Sequence, residues 1–205
     1  MTTRAKMNTN RKTAIIVGVL ILLAYSLLGS DNPNAKVLGM FLEVISGLAV
    51  FGIAVLMFPL FKPYHKKTSF WYLVFRSIEG GLMIIAGILF LSHSALLLEI
   101  RDVIYVGHAY IFAVAALLFY YLLYQSKLVP RWISVWGVIA AILLILVNVL
   151  EVMGIIPGLM ILYLPIILNE VVLAIWLMVK GFNPSAIDSG SAKTDEDRLL
   201  KLSRA

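Results

Sequence analysis

The stretch Phe70-Trp71-Tyr72-Leu73-Val74-Phe75-Arg76-Ser77-Ile78-Glu79-Gly80-Gly81-Leu82-Met83-Ile84-Ile85-Ala86-Gly87-Ile88-Leu89-Phe90-Leu91 carries two charges in an otherwise apolar run. About twenty apolar residues are enough for a helix to cross the hydrocarbon core of a bilayer. Arg76 and Glu79 are three residues apart and so share one helical face, together with Tyr72, Gly80, Met83 and Gly87. A charge exposed to lipid is costly, so this face turns into a bundle, where such residues mark a site or an ion pair.

The rest of the chain has the same character. Of its 205 residues, 61% are hydrophobic and 14% charged, against roughly 45–50% and about 25% in soluble domains. The mean hydropathy is +0.97. These values leave no room for a sizeable soluble domain. The net charge of +6 does not indicate nucleic-acid binding, because the basic residues lie in short loops and tails between apolar spans. The absence of cysteine excludes disulfides, thiolate metal sites and a cysteine nucleophile.

The fold class read from this pattern is all-α: a bundle of six transmembrane helices at residues 13–29, 35–61, 69–92, 103–124, 131–153 and 159–179. A cytoplasmic segment, 1–12, precedes the membrane domain, 13–182. A polar, mobile cytoplasmic tail, 183–205, follows it, with one helical turn near Arg198. The basic residues before the first span resemble a signal peptide, but no small-x-small cleavage site follows, so the helix is read as retained. In the second span Gly39, Glu43, Ser46, Gly47, Val50 and Ala54 share a face of small residues suited to close helix approach. Pro59 is expected to bend or end that span, and Pro165 to interrupt the sixth and leave a carbonyl unpaired one turn earlier. Residues 95–102 are either a short interfacial helix or the entry to span four. Trp71 and Tyr72, and the group Tyr120, Tyr121 and Tyr124, read as interfacial aromatic belts.

Six spans place both termini on one side. Fourteen Lys and Arg residues fall on that side, while Lys36 and Arg101 fall on the other and Arg76 lies within the membrane. Positive residues collect on the cytoplasmic face, so both termini are expected inside, at the plasma membrane.

Within this topology Glu79 and Glu170 come near mid-membrane, with Arg76 slightly to the cytoplasmic side. Glu43, His108 and Asn148 fall in the outer half, and Arg101, Asp102 and Glu151 near the outer surface. Asn169 adjoins Glu170. The candidate polar pocket is therefore Glu43, Arg76, Glu79, Arg101, Asp102, His108, Asn148, Asn169 and Glu170. Three inner carboxyls face one fixed cation. One can pair with Arg76. The others must be protonated, share a proton, meet a protonated His108 or coordinate a cation, since burial disfavours a lone carboxylate.

Each residue also has a structural reading. Arg76 with Glu79 is an ion pair tying span three to its neighbours. Arg101 with Asp102 is a solvated pair at a helix start. His108 is hydrogen-bonded packing, and the two asparagines are interhelical hydrogen bonds. No zinc helix, nucleophile elbow or phosphate loop is present, and no motif names a cofactor. Glu43, Glu79, Glu170 and His108 form the one set with ligands suited to a hard or borderline metal.

Two longer runs carry a family resemblance. They are Tyr120-Tyr121-Leu122-Leu123-Tyr124-Gln125-Ser126-Lys127-Leu128-Val129-Pro130-Arg131-Trp132-Ile133-Ser134-Val135-Trp136-Gly137 and Leu168-Asn169-Glu170-Val171-Val172-Leu173-Ala174-Ile175-Trp176-Leu177-Met178-Val179-Lys180-Gly181-Phe182. Together with Phe75-Arg76-Ser77-Ile78-Glu79-Gly80 and the Arg101-Asp102 pair, they resemble an uncharacterised prokaryotic multi-pass membrane family, domain of unknown function four-three-eight-six. The chain is short, against that family's pattern, between spans one and two and between spans three and four. The resemblance implies a prokaryotic plasma membrane and brings no activity or catalytic residues.

Three functions fit these residues. The leading one is a polar pocket, open near the outer side, that binds or moves a small solute or cation, with membrane lipids as the other partner and no nucleic acid. The second is an intramembrane enzyme using Glu79 or Glu170 with His108. The third is a structural subunit of a membrane complex.

Overall fold

The computed structural model describes residues 3–30, 32–157 and 160–203. Asp31 in the first expected turn, Gly158 in the fifth, Leu159 at the expected start of span six, and Arg204 lie outside them, as do the side chains of Arg4, Lys6, Arg198 and Lys201. The helices are α1 (Thr3–Ala24), α2 (Lys36–Phe61), α3 (Lys66–Phe90), α4 (Ala95–Ser126), α5 (Arg131–Val152), α6 (Leu164–Val179) and α7 (Pro184–Leu202). Single 3-10 turns at Tyr25–Gly29, Pro33–Ala35 and Met160–Tyr163 extend the ends of α1, α2 and α6. Among the described residues, six helical stretches are long and apolar enough to cross a membrane, and none is β-strand.

Connections this short force successive helices to run antiparallel and side by side. α1 packs on α2, α2 on α3, and so on to α6, which returns to α1 and closes a ring. Lipid offers no hydrophobic drive between helices, so close packing of small residues must hold the ring together. The α2–α3 seam shows this most directly. A methyl group on Gly47 would stand 2.5 Å from the Gly80 carbonyl oxygen, and one on Gly80 would stand 2.6 Å from the Gly47 oxygen. The small face expected of the second span is thus the buried face of α2. Gly18 plays the same part between α1 and α6, where an added methyl would meet the Ala174 carbonyl at 2.7 Å.

Arg11 closes this wall at the terminal end of the bundle. Its guanidinium donates to the carbonyls of Met178 (2.7 Å), Val179 (2.9 Å) and Leu177 (3.4 Å). These are last-turn carbonyls of α6, at the negative end of the helix dipole; that of Leu177 also accepts from the Gly181 N–H at 3.1 Å.

Of the two readings of residues 95–102, the entry to span four holds: they are the opening turns of α4. Other expectations change. Pro59 does not stop α2, which continues to Phe61. Pro165 lies in the first turn of α6, where its missing N–H has no intrahelical partner to lose, so it starts the helix instead of breaking it. The segment from Pro184 is a helix of 19 residues and not a single turn. It is fastened to the α2–α3 turn, where the Tyr64 hydroxyl donates to the Ala186 carbonyl and the Lys193 ammonium stands 4.9 Å from the Tyr64 ring centre.

The interior of the ring is filled differently at its two ends. Toward the termini, Phe61, Tyr72 and Phe119 meet edge-on or stacked at 5.5–5.8 Å. Tyr120 adds a further edge contact to Phe119 at 5.3 Å and lies against Gly137, where any side chain would collide with its ring. These rings form a solid aromatic floor. Beyond it the interior opens.

Candidate functional site

A cavity of about 440 Å³ occupies the half of the ring away from the termini. Val50, Met83, Phe112, Ile166 and Ile167 make its walls. Leu28, Tyr105, Val106, Tyr110, Glu151 and Tyr163 surround its wider end. Arg76, Glu79 and Glu170 lie at its base, directly above the aromatic floor: the Arg76 guanidinium is 5.3 Å from the Phe112 ring centre and 5.9 Å from that of Phe119.

Helical spacing sets the first contact in this base. Arg76 and Glu79 are one turn apart on the inward face of α3, and the arginine Nη1 is 3.1 and 3.2 Å from the two carboxylate oxygens. The second contact crosses the ring. Nη2 of Arg76 lies 3.7 Å from Glu170 Oε1 on α6. Glu170 is held from its other side by Tyr25, whose hydroxyl donates to Oε2 at 2.7 Å. All three charged side chains are buried. One guanidinium serves two carboxyls, so the base has a surplus of acceptor groups and, with both carboxyls ionised, an excess negative charge.

Tyr72 and Tyr120 are not in aromatic belts. Both are fully buried, whereas Trp71, Tyr121 and Tyr124 are exposed. The two hydroxyls stand beneath the charged base, close enough to sense Arg76 and Glu170, and that of Tyr120 has no hydrogen-bond partner among the described residues. Nε of Arg76 is likewise unpartnered. Helical phase separates these tyrosines from their neighbours. Tyr72 falls four residues before Arg76 on the same face, a signal available in the sequence. Tyr25 had no such signal, because its direction depends on the 3-10 turn that ends the first span.

Glu43 and Arg101 lie elsewhere. They form their own buried pair between α2 and α4, outside the cavity lining. The guanidinium is sandwiched between the rings of Phe90 (4.4 Å) and Tyr105 (4.3 Å), and Ser30 donates to Glu43 at 3.2 Å. Arg101 is 3% exposed, which overturns its reading as half of a solvated pair. Because α4 begins at Ala95, Arg101 is already two turns inside the helix. Asp102 does remain outside, with its side chain 68% exposed, and contacts Arg101 Nη1 at 3.0 Å. The single cluster of the sequence reading is therefore two: a triad at the cavity base and a separate pair at the α2–α4 seam.

His108 lines the cavity. Its Nδ1 meets the Tyr105 carbonyl one turn back, and its ring packs edge-on to Tyr105 at 5.5 Å. Asn148 makes an interhelical contact, with its amide N–H 3.4 Å from the Ala109 carbonyl. The Tyr163 hydroxyl lies 2.9 Å from Asn148 Oδ1 and 3.0 Å from Glu151 Oε2; its one proton serves one of them at a time. Asn169 turns away from the cavity and donates to the Ile133 carbonyl at 3.0 Å, joining α6 to α5.

With Glu43 engaged by Arg101, the four residues considered for a metal do not form one set. Among the described residues no group of three or more His, Asp or Glu side chains is placed to hold a metal ion. The cavity can instead take a molecule with an apolar body, since most of its lining is hydrocarbon and aromatic, and with donors or positive charge directed at the two carboxyls.

Residues 23–181 match a family described as a domain of unknown function, DUF4386. No curated protein and no solved structure matches the chain.

Proposed function

The chain belongs to that uncharacterised family, and we propose that its role is to bind a small solute with an apolar body and a cationic or hydrogen-bond-donating head. The observation that carries this reading is the carboxyl surplus at the base of an otherwise apolar cavity. About 440 Å³ lies within the range of roughly 300–1,000 Å³ found for small-molecule sites. Glu79 and Glu170 would receive the head, and Arg76 would hold the two carboxyls apart and oriented. Both termini face the cytoplasm of a prokaryotic cell in this reading. It is supported by the fourteen cations at the terminal end against two at the other, so the cavity opens toward the outer side of the plasma membrane.

The test is native mass spectrometry, with elemental analysis, on gently purified protein beside Glu79→Gln and Glu170→Gln. A mass retained by the parent and lost from both variants, with helicity unchanged, is the expected result. An empty parent, with variants that are only less stable, would refute binding. It would favour instead a structural triad tying α3 to α6, a reading to which the cross-ring contact of Arg76 with Glu170 lends weight.

A further inference from the structure

The terminal end of the bundle holds a second cavity, of about 490 Å³, between the α4–α5 turn and the α6–α7 junction. It is independent of the site just described. Lys127, Arg131 and Lys180 line it, and all three are exposed. None of them forms an ion pair with a carboxylate among the described residues. Three cations around one cleft repel one another, and such an arrangement is stabilised by an anion.

The cleft is a built feature, with walls fixed by hydrogen bonds. The backbone N–H of Asn183 donates to the Leu128 carbonyl at 2.8 Å, and its side-chain N–H donates to the Lys127 carbonyl at 3.3 Å. The side-chain oxygen of Asn183 accepts from the Ser185 N–H at 3.2 Å. Leu128, Val129 and Phe182 anchor the two strips of chain in the core. Lys127 holds a left-handed backbone, φ +55°, as the residue that ends α4 and turns the chain into the cleft. Arg131 begins α5, whose first N–H groups also face outward from the helix end and favour negative charge.

Next to the cleft stands a group of tryptophans. Trp176 lines it, Trp132 meets Trp176 edge-on at 6.4 Å, and Trp136 stacks on Trp132 at 6.5 Å. Trp132 is exposed. Tryptophan favours the level of lipid headgroups. The cleft therefore lies at the membrane–water boundary, on the face where the basic loops collect.

We propose that this cleft binds a phosphoryl group, and that its occupant is the headgroup of an anionic phospholipid whose acyl chains run past Trp132 and Trp176. A free phosphate would satisfy the cations but would leave the tryptophan face without a partner.

Of the four tryptophans, Trp176 lines the cleft and Trp132 and Trp136 stand in a row beside it, so fluorescence quenching reports on it. The full chain is placed in phosphatidylcholine vesicles containing a small fraction of brominated phosphatidylglycerol or, separately, brominated phosphatidylcholine. Brominated phosphatidylglycerol should quench preferentially. Each cation near an anionic surface strengthens binding by roughly fivefold at low salt, so Lys127→Gln/Arg131→Gln/Lys180→Gln should weaken the preference by on the order of a hundredfold. The triple variant Lys62→Gln/Lys66→Gln/Lys67→Gln removes the same charge from the α2–α3 turn and should leave the preference intact. Equal quenching by the two lipids would overturn the proposal, as would equal losses in both triple variants. Relief of quenching by a few millimolar inorganic phosphate, matched against chloride at equal ionic strength, would reassign the cleft to a free anion. Circular dichroism on each variant separates loss of binding from loss of fold.

Discussion

Removing Arg101 should be far more damaging than removing Arg101 and the charge of Glu43 together. In Arg101→Met the Glu43 carboxyl, 0% exposed, keeps only the Ser30 hydroxyl as a described partner. Breaking a buried ion pair from one side typically costs about 3–5 kcal/mol, because the remaining charge has no water to return to. The contact to Asp102 adds little, since pairs with one exposed partner contribute about 0–1 kcal/mol. In Glu43→Gln/Arg101→Met the buried Glu43 charge is gone as well, and a thioether replaces the guanidinium between Phe90 and Tyr105. The double variant should lie within about 1–2 kcal/mol of the parent, so neutralising Glu43 as well should recover roughly 1–4 kcal/mol of the Arg101→Met cost, and the coupling, to which the cost of Glu43→Gln alone adds, is at least that large. That exceeds the roughly 0.6 kcal/mol average of interhelical hydrogen bonds in membranes, so the ion pair can be told apart from a neutral contact. The assay is reversible unfolding in mixed micelles, followed by far-ultraviolet circular dichroism. Costs that add in the double variant to within about 0.5 kcal/mol would refute the argument, as would a cost below about 1 kcal/mol for Arg101→Met alone. Because the pair lies outside the cavity lining, the double variant should also keep any ligand that the parent retains.

Three further outcomes follow from the same contacts. Tyr25→Phe removes the hydroxyl that holds Glu170 at 2.7 Å and should cost about 1.5–3 kcal/mol in the same unfolding assay; an unchanged midpoint would mean that Glu170 is not held there. Gly47→Ala sets a methyl against the backbone of α3 and should cost about 1–3 kcal/mol, whereas Gly81→Ala, with nothing within 4 Å of the added atom, should be neutral or slightly stabilising. Arg11→Gln removes the side-chain donor of the Met178 and Val179 carbonyls and should cost about 1–2 kcal/mol. Arg11→Lys should recover only part of this, since an ammonium cannot reproduce the planar fork, and full recovery would show that charge alone matters there.

Much of the ring could be read from residue type and period. The α2–α3 seam followed from small residues recurring at helical spacing, because glycine and alanine on one face have few uses in lipid other than close approach. Arg76 with Glu79 followed from the cost of facing lipid and from one turn of separation. The Arg101–Glu43 pair was not legible, since its partners are 58 residues apart and meet only because α4 starts early enough to carry Arg101 inside the bundle. Tyr72 follows Arg76's phase onto the inward face, and only its second reading, as an interface anchor, fails, because tyrosine near a helix end suits an interface equally well. Pro165 was misplaced because a proline in an apolar run looks the same whether it starts a helix or interrupts one.

By itself, the sequence determined that this chain is a bundle of six helices long and apolar enough to span a membrane, with charges on their inward faces and basic residues in the loops. These properties depend on hydrophobic length and helical period, which are local. Only the tertiary structure decided how the charges are shared. Two carboxyls converge on Arg76 beneath a cavity, a third is drawn off to Arg101, Tyr25 reaches back to hold Glu170, and aromatic rings close one end of the ring while leaving the other open. These depend on the rotation of each helix about its axis and on which helices meet. Packing across the whole bundle sets both, and no local stretch of sequence encodes either.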